Sequence, residues 1–81
     1  MDSIKEIGEV ARYHRKKAGL TQQELAKLAG IGKTAVFDLE KGKQSIQLDT
    51  LRKILQVLNI TIRLESPLME AYMKEVSGET S

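Results

Sequence analysis

Apolar residues fall at helical intervals along most of this 81-residue chain, and the period changes once, near its end. Ile4, Ile7, Ala11, His14 and Ala18 recur every third or fourth position, the spacing of one helix face. Ser3 and Glu6 form a capping-box pattern at the start of that helix. Gly19 ends it, after a basic last turn of Arg15, Lys16 and Lys17 that suits the helix dipole. Thr21 and Glu24 repeat the capping box and open a short helix with Leu25, Leu28 and Ala29 on its inner side. Gly30 stops it. A third helix is predicted from about Lys33 to Lys41, with Val36 and Leu39 inward and Gly42 closing it. A fourth, within LDTLRKILQVLNI, places Leu48, Leu51, Ile54, Leu55 and Leu58 inside, with Asn59 as a left-handed cap.

Ile60, Ile62 and Leu64 then alternate with Thr61, Arg63 and Glu65, the period of a half-buried strand. One strand cannot satisfy its own backbone hydrogen bonds. The simplest solution is pairing with the same strand of a second copy across a two-fold axis. The alternative is a strand-like tail packed on the fourth helix. Ser66-Pro67 starts a weak helical segment containing Leu68, Met69, Tyr72, Met73 and Val76, and SGETS at the end has the composition of a frayed tail.

Composition narrows the function classes. A chain of this length makes one domain with a marginal core, for which a partner subunit is a common remedy. With no cysteine and a single histidine, thiolate chemistry, disulfides and a metal centre are not expected. His14 reads as a partly buried core histidine. No nucleophile–base pair or paired carboxylates can be assembled from motifs, so no enzyme and no cofactor is expected. The charged start MDSIKEIGEV does not read as a signal peptide, and no apolar run reaches membrane-spanning length. A cytoplasmic protein is the expectation. The net charge is +2, but its distribution is uneven: +3 up to Ile46 and −1 from Gln47 onward. A mildly basic front suits a nucleic-acid surface, with a different interface behind it. Lys16, Lys17 and Lys27 read as solvated surface.

The stretch GIGKT, Gly30 to Thr34, resembles the end of a phosphate-binding loop, but Lys27 occupies the position of the first obligatory glycine and no strand precedes it. Two short helices joined by a glycine turn and flanked by longer ones suggest a helix-turn-helix instead. Ala26 stands where the two helices must approach closely, and Gly30 where the turn needs positive φ. With Val36 and Leu39 inward, Lys33, Thr34, Phe37, Asp38 and Lys41 occupy the opposite, outward face.

RKKAGLTQQELAKLAGIGKTAVFDLEKGK resembles the phage-repressor and Cro-like helix-turn-helix domain of the Xre class, over roughly residues 7–58. The pair RxxxGLTQxELA and VxxLExGK carries the likeness. The resemblance implies that Thr21 and Gln22 meet a DNA phosphate, that Lys33, Thr34, Phe37 and Asp38 face base edges, and that Lys43, Gln44 and Ser45 hold the DNA backbone. Arg15 and Glu40 match an internal ion pair of the family. Gly32 departs from the usual Ser, Thr or Lys, so a cap or contact is missing there. Phe37 would touch a thymine methyl, or fold onto its own helix or the neighbouring loop. Asp38 would read cytosine N4, or pair with Lys41 or Lys33.

A helix-turn-helix followed directly by NITIRLE resembles the HipB-type antitoxins, which dimerise through a C-terminal strand of this kind; the resemblance implies a dimer strand through Ile60, Ile62 and Leu64 here. The expected architecture is mostly α: a four- to five-helix phage-repressor-like domain with one C-terminal β-strand pairing across a homodimer. Residues 1–59 would be the DNA-binding domain, 60–65 the dimerising strand and 66–81 a short helical or flexible tail. The implied function is a sequence-specific repressor that binds a palindromic operator in double-stranded DNA. It would act as an antitoxin, autoregulating its operon and binding a HipA-type serine/threonine kinase toxin, for which LMEAYMKEV is a candidate contact; the alternative is that this segment folds back onto the dimer. The other readings are a stand-alone phage- or plasmid-type regulator and a protein-interaction module that no longer reads DNA.

Overall fold

The computed structural model describes residues 4–79, with helices α1 (Ile4–Lys17), α2 (Gln22–Ala29), α3 (Lys33–Glu40), α4 (Leu48–Val57) and α5 (Met69–Glu79). Ser3, the expected first N-cap, and Thr80 and Ser81 of the expected frayed tail lie outside the described residues. Within the tail, Ser77 to Glu79 continue α5.

The first four helices stop by one mechanism. After α1, Gly19 N–H donates to Lys16 O at 3.0 Å and Leu20 N–H to Arg15 O at 3.1 Å. The same paired bonds follow α2 through Gly30 and Ile31, α3 through Gly42 and Lys43, and α4 through Asn59 and Ile60. The residue closing each helix has φ between 60° and 83°. That conformation returns two otherwise orphaned carbonyls to hydrogen bonding and turns the chain sharply. Three glycines take it without steric cost, and Asn59 is the one non-glycine residue in it among the described residues.

Short turns fold α1–α4 around one core. Ala11, Leu25, Val36, Leu39 and Ile54 have no solvent exposure, and Ala26 and Leu55 are nearly as buried. Burying a side chain of leucine size contributes about 1.5–3 kcal/mol. Gly8 is the tightest point. A methyl group there would strike the Leu39 carbonyl oxygen, so α1 crosses α3 at a distance only glycine permits. Gly8 belongs to the inner face of α1, which runs through Ile7, Gly8, Ala11 and Arg15.

His14 is therefore not a core residue: it is exposed, with Nδ1 2.7 Å from Val10 O, because Arg15 continues the stripe in its place. Ala18 is exposed too. Two expected core leucines also face solvent. Leu28 lies on the last turn of α2, past the Leu25–Ala26 contact. Leu48 is 81% exposed, at the first position of α4 and one turn short of Leu51.

The strand expected over residues 60–65 is not formed, and no strand occurs among the described residues. A ladder requires a second backbone alongside, and none of the described residues supplies one. Ile60 packs against the edge of the core, whereas Ile62 and Leu64 are exposed. The chain leaves along α4, where Leu48, Leu51, Leu55, Ile60 and Ile62 line much of an open groove of about 590 Å³. On α5, Tyr72 and Met73 are exposed and Met69 and Val76 are half-buried.

Candidate nucleic-acid interface

The positions of α2 and α3 are set by a buried polar cluster. Arg15 Nε donates to Glu40 Oε2 at 2.6 Å and Nη2 donates to Oε1 at 2.9 Å, a two-pronged bond. Arg15 Nη1 donates to Leu20 O at 2.8 Å, and Gln22 Nε2 donates to Glu40 Oε1 at 3.1 Å. The Arg15 and Glu40 side chains are only 9% and 4% exposed. One carboxylate thus joins the end of α1, the first residue of α2 and the last residue of α3. Burial pushes the Glu40 carboxyl upward, but the hydrogen bonds from Arg15 and Gln22 and the charges of Arg15 and Arg12 outweigh it. The group is held below the usual carboxylate range. The bond to Glu40 likewise holds the Arg15 guanidinium above its ordinary value.

At the start of α2, Thr21 Oγ1 accepts from Glu24 N–H at 3.0 Å, and Thr21 N–H donates to Glu24 Oε1 at 2.8 Å. The capping box is complete, and these bonds hold the exposed Glu24 carboxyl below its usual range. Thr21 keeps its hydroxyl proton for an outside acceptor. The Gln22 and Gln23 amides, in the first turn, have no intrahelical acceptor. A phosphate at this end of α2 would meet those donors together with the helix dipole.

After the turn at Gly30, α3 starts at Gly32, whose extended backbone serves as N-cap with no side-chain bond. Val36 and Leu39 are fully buried, which leaves Lys33, Thr34 and Phe37 exposed on the other side with Asp38 half-buried beside them. Phe37 is 44% exposed, and the Lys41 ammonium lies over its ring, 5.0 Å from the centroid. Asp38 pairs with neither Lys41 nor Lys33. Its Oδ2 accepts from Lys43 Nζ at 3.4 Å. Lys43, Gln44 and Ser45 are all exposed in the loop that follows.

The outcome is a surface with three parts: donors at the start of α2, the outward face of α3, and a cationic loop after it. Sequence reasoning did not find the Gln22–Glu40 bond or the Asp38–Lys43 pair. Gln22 and Glu40 are 18 positions apart, so only the packing of α2 on α3 brings them together. Asp38 and Lys43 are five apart, a spacing outside the helical rule and closed by the turn at Gly42. Among the described residues no cluster of acidic, histidine or cysteine side chains could hold a metal ion, and no helix is long and apolar enough to cross a membrane.

Known proteins share this fold. The helix-turn-helix family profile matches residues 12–64. An uncharacterized HTH-type transcriptional regulator of Sinorhizobium fredii is 39% identical over 62 residues, covering 76% of this chain and 82% of that protein. One from Archaeoglobus fulgidus is 43% identical over 51 residues, covering 63% of this chain and 73% of its own length. Among solved structures, the HipB-O4 20mer complex and the HipA-HipB-O2-O3 complex each contain a chain with a TM-score of 0.75 and 30% identity. Each alignment covers 83% of this chain and 94% of the other.

Proposed function

We infer that this chain, which belongs to the Xre-like helix-turn-helix family of transcriptional regulators, is a sequence-specific DNA-binding repressor. The observation that carries the reading is the three-part surface and the buried Arg15–Glu40–Gln22 cluster that fixes its parts relative to each other. In this reading α3 enters the major groove. Lys33 and Thr34 meet base edges, Phe37 meets a thymine methyl, and Asp38 meets an amino group such as cytosine N4. Thr21 and Gln22 bind a phosphate at the start of α2, and Lys43, Gln44 and Ser45 bind the backbone beyond α3. These contacts divide into positioning and reading, as a specific complex requires.

A second copy completes the site. Residues 60–65 would pair with the same segment of a partner, bringing the exposed Ile62 and Leu64 into an interface continuous with the groove along α4. Two recognition helices would then address half-sites of a palindromic operator about 34–36 Å apart. Likeness to HipB in the two complexes supports an antitoxin that represses its own operon and binds a HipA-type kinase, with the exposed Tyr72 and Met73 of α5 as the contact. A stand-alone regulator would have the same DNA chemistry without the kinase. Titration on duplex DNA from the chain's own promoter, against a scrambled duplex at two salt concentrations, tests the central reading. A preference of about a thousandfold or more, surviving higher salt, is expected. Equal, salt-sensitive binding to both would leave only charge attraction and favour the protein-interaction module.

A further inference from the structure

Lys43 is tied to Asp38 twice. Its backbone N–H donates to Asp38 O at 3.0 Å, part of the turn that ends α3, and its Nζ donates to Asp38 Oδ2 at 3.4 Å. The first bond fixes where the lysine stem leaves the backbone. The second is a choice of side-chain torsions alone. With side-chain exposures of 58% for Lys43 and 30% for Asp38, the ion pair is screened by water and weak. A DNA phosphate is a competing acceptor for Lys43, so the outcome depends on what the abandoned Asp38 carboxylate meets in the groove. The nearby Lys41 ammonium lies over the Phe37 ring and not on Asp38.

We propose that Asp38 and Lys43 form an exchange pair, in which Lys43 reaches a phosphate only where the base edge satisfies the Asp38 carboxylate it leaves behind. The proposal rests on the DNA-reading assignment above and deepens it: Asp38 sets specificity through Lys43, not only through its own contact. When Lys43 moves to a phosphate, Asp38 faces the groove without its counter-charge. The N7 and O6 atoms of guanine and the O4 of thymine are acceptors and oppose a carboxylate, whereas the amino group of cytosine N4 donates to it. Over a suitable amino group, Lys43 is released to the backbone. Over other edges it stays on Asp38, and the phosphate contact is forfeited. A contact that is ordinarily blind to sequence becomes conditional on it.

The test is a cycle of four proteins: wild type, Asp38→Asn, Lys43→Ala and the double variant. Each is titrated at several salt concentrations on a duplex that the wild type selects from a randomised pool, and on a scrambled copy. Thermal melts establish that each is folded. Asp38→Asn should bind the scrambled duplex several-fold more tightly than wild type, with a salt slope steeper by about 0.9, the value of one added phosphate contact. Its preference for the selected duplex should fall. In the Lys43→Ala background the same substitution should leave the slope unchanged and lose most of the gain. Asp38→Ser repeats the test without the affinity of an asparagine amide for adenine. No gain would overturn the exchange; an equal gain with and without Lys43 would overturn it too and leave Asp38 acting by its own charge alone. If the wild type enriches no sequence from the pool, the DNA-reading assignment fails first and takes the proposal with it.

Discussion

The region from α1 to α4 and the segment from Ile60 onward are built from the same kinds of residue and reach opposite states. In the first, the apolar stripe of each helix meets a neighbour, the end of each helix is closed by a left-handed residue, and a buried ion pair joins three elements. In the second, Ile62, Leu64, Leu68, Tyr72 and Met73 are exposed. Apolar spacing alone does not bury a surface. A helix stripe finds its partner when a short turn brings another stripe back against it, and the turns at Gly19, Gly30 and Gly42 do so. A strand-period segment has no such return. Its alternation leaves Ile62 and Leu64 exposed.

The sharpest way to break this contrast is to remove the link between α1, α2 and α3. Arg15→Ala leaves the Glu40 carboxylate buried without its main partner, and the expected loss is about 3–5 kcal/mol in urea unfolding. A loss near zero would mean that water reaches Glu40. Because the carboxyl of Glu40 is lower in the folded chain than the ordinary value near about 4.3, its contribution is present above that value and lost as pH falls through the lowered one. The acid limb of the stability–pH curve should therefore flatten in Glu40→Gln, and an unchanged limb would assign acid sensitivity to other carboxylates.

Gly8→Ala comes next. The added methyl strikes backbone at Leu39 and cannot be relieved by a side-chain rotation, so α1 and α3 must separate. The expected cost is about 1–3 kcal/mol despite the better helix propensity of alanine. A stabilised variant would show that the helices approach less closely than described.

Two changes in the second region sharpen the comparison from its other side. Ile62→Asp should leave the unfolding of isolated chains within about 0.5 kcal/mol, yet prevent association in sedimentation equilibrium by placing a charge at the strand pairing. A variant that still associates would exclude that segment from the interface. The smallest effect is expected from Met73→Ser on α5, again within about 0.5 kcal/mol in unfolding. A large loss would show that α5 is packed after all.

Much of the first region was legible because its signals are local. Thr21 and Glu24 announce the start of α2, and Gly19, Gly30, Gly42 and Asn59 announce four helix ends through a backbone requirement that few residues meet. Burial was harder where it depends on a partner. Nothing local marks Gly8 as the close approach to Leu39, and the spacing of Arg15 shows only a basic last turn; its pairing with Glu40, 25 positions away, was legible through the family resemblance and is formed. Leu28 and Leu48 fit the period of their helices but lie at their ends, past the region of contact. For Ile60 to Glu65 the alternation is genuine, but alternation specifies a strand only in the presence of a second one. On the reading face, position was legible and pairing was not: the partner of Asp38 is decided by the path of the turn through Gly42.

The most direct test of the central claim, that the outward face of α3 reads base edges, is base preference measured on a randomised duplex pool for wild type and Lys33→Ala side by side. A relaxed preference at one or two adjacent positions is expected, with affinity for the selected site reduced by about 1–3 kcal/mol and affinity for scrambled DNA much less affected. An unchanged preference at every position would remove Lys33 from the reading face and contradict the placement of α3 in the groove.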